Sequence, residues 1–160
     1  MKLLISFFSV FFDILLLNIF KMPSYNISYF YPMFTISTIV YISNFYPHSN
    51  RKNYYLSVLL LAIIYDTLVV NNLLITVSLF ELIALFNIKI RKYLSSNLFN
   101  NLIFLILTLL IYDFGFHLML VLVGYQDFNF YLLFYKFSHS VALNIIYMIT
   151  MFLVLKPRKT

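Results

Sequence analysis

Long apolar runs alternate along this chain with short polar breaks, and the alternation lays out its elements. The clearest pair is residues 54–70 and 73–88; at about 1.5 Å per residue, each run crosses most of a roughly 30 Å hydrocarbon layer. Only Asn71 and Asn72 separate them, with Arg51 and Lys52 before and Lys89, Arg91 and Lys92 after. The pattern predicts a transmembrane helical hairpin with both open ends in the cytoplasm. Further helices are predicted over about residues 3–20, 27–46, 98–118 and 138–155. Lys21, Met22, Pro23 and Ser24 break the first from the second, and Pro32 falls in the first turns of the second, where proline is tolerated. The link PHSNRKN, carrying His48, leads into the hairpin. Ser95, Ser96 and Asn97 open the fifth helix, where a Ser or Asn side chain can cap the first exposed amides. Residues 119–137, apolar and aromatic but interrupted by Gly124, Gln126, Asp127 and Asn129, read as an interfacial element along the outer surface, with a re-entrant segment as the alternative.

Composition sharpens this into a class. The 160 residues are 63% hydrophobic and 10% charged, with a mean hydropathy of +0.94, so a water-soluble domain would lack the polar side chains to cover its surface. The expectation is a single integral membrane domain of the all-α, polytopic class with six transmembrane helices. The absence of cysteine removes disulfides and thiolate chemistry. The opening MKLLISFFSVFFDILLLNIF has the lysine and apolar run of a signal peptide but no small-x-small cleavage site, and Asp13 interrupts its core, so an uncleaved first helix is expected. The net charge of +6 does not read as a nucleic-acid footprint, because no soluble module presents a clustered basic face. It reads as orientation. With six crossings, Lys2, Arg51, Lys52, Lys89, Arg91, Lys92, Lys156, Arg158 and Lys159 fall on one side, against Lys21 and Lys136 on the other. Nine against two places both termini in the cytoplasm.

Orientation turns the acids into a pattern. Asp13, Asp66, Glu81 and Asp113 each fall about four to eight residues from the outer end of their helices, roughly 6 to 12 Å below the outer interface. Asn144 falls in the same layer. His117, four residues after Asp113, shares its helix face and is placed to meet it. No lysine or arginine is expected at that depth, so the acids should be protonated or hydrogen-bonded to Asn18, Tyr65, Tyr112 or His117. The layer admits three readings: hydrogen-bond glue between helices, a docking surface for a partner helix or substrate, and an ion or proton relay. The similar contexts Ile64-Tyr65-Asp66 and Ile111-Tyr112-Asp113 raise a weak internal repeat. They also evoke intramembrane aspartyl proteases, but the Gly-x-Gly-Asp context of those enzymes is absent. No Gly-x-Ser-x-Gly turn, His-Glu-x-x-His or phosphate loop occurs, and two glycines cannot build a Gly-rich cradle. His48 reads as a solvated link residue and His139 as an interfacial side chain rather than a metal ligand. No enzyme, cofactor or metal site is expected.

The order of features resembles the rod shape-determining protein MreD family. The likeness is carried by Asp13, by LAIIYDTLVVNNLLITVSLFELIALF with Tyr65 and Asp66, and by KFSHSVALNIIYMITMFLVLKPRK with Asn144. Family members usually have glycines around the third-helix aspartate and after the hairpin, where this chain has Ala62 and Ile63 and no glycine. The resemblance implies a non-enzymatic scaffold in the bacterial cytoplasmic membrane. Its expected partners are an MreC-like bitopic protein, an MreB-like filament and the enzymes of lateral peptidoglycan synthesis. It also implies a bundle like the substrate-binding S components of energy-coupling factor transporters, with a shallow outward pocket. The alternative function is such an S component, capturing a cationic vitamin or a metal ion. Against it, LISFFSVFFDILLL lacks the Ala-x-x-x-Ala spacing by which those subunits grip their coupling partner.

Overall fold

A computed structural model describes residues 2–19, 31–45, 51–70, 72–91, 93 and 96–155, and these are all-helical, without strands. The helices are α1 (Lys2–Ile19), α2 (Phe34–Ile42), α3 (Arg51–Tyr65), α4 (Leu73–Arg91), α5 (Leu98–Leu122) and α6 (Phe130–Leu155). A 3-10 turn, Ser43–Phe45, extends α2, and a π-helical stretch, Asp66–Val70, extends α3. The break at Lys21–Ser24, the start of the second predicted helix, His48 and its link, Asn71, Lys92, Ser95 and the basic tail lie outside the described residues.

The helices pair as consecutive hairpins, α1 with α2, α3 with α4 and α5 with α6, and α2 touches each of the other five. Every residue of α2 is buried. Its sequence, FTISTIVYI, is apolar enough to sit in a core, yet Thr35, Ser37 and Thr38 bring hydroxyls with them. A helix of this length, about 14 Å at 1.5 Å per residue, has as many unpaired terminal amides and carbonyls as a long one. Inside a bundle it must find partners for them within the protein.

Asp13 supplies them at the start. Its carboxylate accepts from Phe34 N at 2.7 Å, Thr35 N at 2.9 Å and Thr35 Oγ1 at 2.7 Å. An N-cap normally comes from the residue beside the helix, and Met33 in that position makes no side-chain cap; here a neighbouring helix does the work. Arg91 supplies the other end, donating to Val40 O at 3.2 Å and to Ser43 Oγ at 3.0 Å. An anion at the N-terminus and a cation at the C-terminus complement the helix dipole.

Three boundaries differ from the pattern. The second helix starts at Phe34, leaving Pro32 before it, because the amides that Asp13 takes define the first turn. The third begins at Arg51, three residues earlier than the apolar run indicates. Residues 119–137 form no separate element: α5 continues to Leu122, and α6 begins at Phe130. Gly124 (φ 80°) ends α5, with Gly124 N donating to Val121 O and Tyr125 N to Leu120 O, both at 3.0 Å, a Schellman closure that a left-handed glycine permits. Asn129 then caps α6, its Oδ1 accepting from Leu132 N at 3.0 Å. Asn97 caps α5, accepting from Asn100 N at 3.1 Å, as the sequence predicts.

Among the described residues three helical stretches, Lys52–Val70, Leu98–Leu122 and Phe130–Leu155, are long and apolar enough to cross a membrane. The outward faces are apolar too, with Phe7, Phe8 and Phe11 on α1 and Leu153 and Val154 on α6 exposed.

Asp13→Leu leaves the first amides of α2 without an acceptor in a buried setting, at about 1–3 kcal/mol for each unsatisfied group. The purified protein should lose its cooperative thermal transition in detergent or have it lowered well below that of Asp13→Asn, which keeps a carbonyl acceptor; equal midpoints for the two variants would contradict the capping role.

Candidate functional site

The ends of α1, α3 and α5 and the starts of α2, α4 and α6 meet around one cavity, and the same device recurs there. About a turn before the end of α3, Asp66 Oδ1 accepts from Asn72 N at 2.7 Å and from Thr76 Oγ1 at 2.8 Å, capping α4. The π-helical stretch that holds Asp66 is a wider turn of a kind that often re-aims side chains at special sites. On α5, His117 Nε2 accepts from Asn129 N at 3.1 Å at the start of α6. An amide can only donate, so the ring proton is on Nδ1, 2.8 Å from the Gln126 carboxamide, which accepts it through Oε1 with the amide turned end for end. Asp13, Asp66 and His117 therefore each latch the next helix of their own hairpin.

These assignments sort the predicted polar layer. Tyr65 and Tyr112 stand together across Phe80, whose ring centroid lies 5.5 Å from the first and 5.8 Å from the second. Asp13 and Asp113 are electrostatic neighbours of both tyrosines, and Asp66 of Tyr112. Glu81 does not join them. Phe80 takes the inward position, so Glu81, the next residue round the helix, is half-buried on another face with Tyr54 as a charge neighbour and Oε1 unpartnered. Asn144 is fully buried but belongs to the α2–α6 seam, accepting from Ser37 Oγ at 2.7 Å and donating to Ser140 O at 2.8 Å. Asn18 bonds Ile14 O rather than an acid.

Two expectations are corrected. His117 does not pair with Asp113, because both of its nitrogens are engaged by the α5–α6 turn. The acids do have a cation near them: Lys136, on α6, lines the same cavity as Asp113 and lies 5.7 Å over the Tyr31 ring. The repeat suggested by the two Tyr-Asp pairs is not one of role, since Asp66 is a cap and Asp113 is not.

The cavity has a volume of about 310 Å³ and lies among the ends of α1, α3 and α5 and the starts of α2, α4 and α6. Tyr31, Tyr65, Tyr112 and Phe116 give it an aromatic wall, and Asp113, His117, Gln126 and Lys136 its polar groups. Among the described residues no group of three His, Cys, Asp or Glu is arranged to hold a metal ion.

Sequence reasoning missed Lys136, Arg91, Tyr54 and Asn101 as structural or cavity residues. Lys136 had a usable signal, a lone charge in the apolar run 130–137, the rule that singled out Asp66. Arg91 had none, because it sits in a basic flank that orientation already explains.

No family profile, curated protein or solved structure matches this chain.

Asp66→Ala should destabilise the bundle by about 1–3 kcal/mol, since it strips a buried cap. Combining it with Thr76→Val in a double-mutant cycle should give a coupling energy of roughly 0.5 kcal/mol or more. Strict additivity would show that the Asp66–Thr76 contact is not made.

Proposed function

We propose that the chain is a six-span integral membrane protein with both termini in the cytoplasm, acting as a non-enzymatic scaffold of the MreD type. In this reading it binds an MreC-like bitopic protein and supports lateral wall synthesis with an MreB-like filament and the peptidoglycan synthases. The observation that carries the non-catalytic part is what the resemblance's own residues do. Asp13 and Asp66 are spent on helix amides and Asn144 on the α2–α6 seam, so these polar residues read as internal glue. That favours the first of the three readings of the layer over a docking surface built on Asp66, and over a relay.

The membrane part is supported by three spans of adequate length and by apolar outward faces. In lipid, unpaired backbone groups are costly, which is what a short buried helix capped by side chains from its neighbours avoids. A partner would then dock on apolar helix faces such as the exposed phenylalanines of α1. The S-component reading remains as the second, favoured by one observation, the cavity among the helix ends.

Tagged full-length protein extracted from host membranes should co-purify a single-span membrane protein, and loss of the chain should turn rods into spheres. Normal rods together with a stoichiometric small molecule retained through purification would replace the scaffold by the capture reading.

A further inference from the structure

The cavity holds two charges that the fold does not use. Asp113 is 8% exposed, and its Oδ2 has no hydrogen-bond partner. Lys136, lining the same cavity, is half-buried and rests over an aromatic ring, with Asp113 as a charge neighbour but no ion pair to it. The other polar side chains named in the wall, His117 and Gln126, are engaged with each other and with the α5–α6 turn. Asp13 and Asp66, nearby, are filled by helix amides. One acid and one base therefore face the same space unjoined, inside an aromatic wall.

That arrangement selects among ligands. Asp113 and Lys136 are charge neighbours without an ion pair between them; a cation alone would meet Asp113 but be repelled by Lys136, an anion alone the reverse, and either would take one partner from the other in a poorly solvated site. A metal ion is disfavoured further, because one carboxylate with no second acid or ring nitrogen free is a weak donor set. A molecule carrying both signs satisfies both groups, and the tyrosine and phenylalanine faces suit an ammonium. The volume, near the lower end of the roughly 300–1,000 Å³ usual for ligand sites, fits a small molecule or a headgroup rather than a peptide.

We propose that this cavity is a binding site for a zwitterion, its ammonium on Asp113 and its anionic group toward Lys136. The two sources of that chemistry are a soluble amino-phosphate or amino acid and the headgroup of an aminophospholipid reached from the outer leaflet. Access from the outer leaflet rests on the proposed topology; the zwitterion site itself does not rest on the scaffold reading and holds whether or not a bitopic partner is found.

The test is native mass spectrometry of the full chain in detergent, titrated with O-phosphoethanolamine and with short-chain phosphatidylethanolamine. Ethanolamine and short-chain phosphatidylglycerol, each carrying one charge sign only, are the controls. Saturable binding of both zwitterions supports a site open to soluble ligands, and binding of the lipid alone supports a headgroup site. In either case Asp113→Asn and Lys136→Gln should each weaken binding about tenfold or more, as expected for loss of a charge-assisted contact. Circular dichroism and gel filtration report folding; Lys136 makes no hydrogen bond to hold the bundle, so Lys136→Gln carries the test if Asp113→Asn does not fold. The proposal is overturned if no zwitterion binds saturably, as when water alone satisfies Oδ2. It is equally overturned if a single-sign control binds as well, or if a folded variant binds like the parent chain.

Discussion

A short helix buried on every side is the constraint from which the rest of this bundle follows. α2 cannot satisfy its terminal amides and carbonyls with water, so its neighbours must provide for them; α1, α3 and α4 do so, while α5 and α6 bond polar side chains of α2 and its 3-10 extension. α1 sends Asp13 to Phe34 and Thr35, and α4 sends Arg91 to Val40 O and Ser43 Oγ. From α3, Tyr54 Oη donates to Ile39 O at 3.1 Å. α5 offers Asn101 Oδ1 to Asn44 on the 3-10 extension at 2.9 Å, and α6 offers Asn144 to Ser37 and Tyr147 to Thr38. In the proposed membrane setting apolar burial alone would not fix this arrangement, because in lipid a leucine on the surface is as well solvated as one inside. Directional polar contacts set the position of each helix, and the apolar side chains of Ile36, Ile39, Leu105, Leu109 and Met148 fill the space they define.

The same economy explains the helix ends around the cavity. In each helix pair a polar side chain on the outgoing helix holds a backbone amide at the start of the returning one. Asp13, Asp66 and His117 differ in chemistry but share the role of acceptor. With those three engaged, Asp113 and Lys136 are the charged side chains of the cavity wall that cap no helix. Structure and candidate site are thus separated by which acids meet an amide and which do not.

Much of this was legible in the chain. Apolar length and the Asn turn after Val70 located α3 and α4, Asn97 announced the start of α5, and rarity in an apolar setting picked out Asp13, Asp66, Asp113 and Asn144. What each acid does was not legible, because a cap from a neighbouring helix leaves no local signature: nothing near Phe34 in the sequence says that its acceptor lies 21 positions earlier. Depth counting grouped Glu81 with the aspartates, but depth carries no azimuth, and Phe80 occupies the inward direction at that level. The polar interruptions at 124–129 were read as disturbing an interfacial segment. They are a helix stop and a helix start in succession, Gly124 and Asn129, close enough together to resemble one irregular stretch.

If α2 is the fixed centre of the bundle, its amides should open only when the whole protein does. Hydrogen exchange of the full chain in detergent, followed by mass spectrometry on fragments covering residues 34–42, measures this directly. The account predicts that these amides are among the slowest to exchange, at the rate of global unfolding. Exchange of 34–42 as fast as that of the 123–129 turn would contradict it.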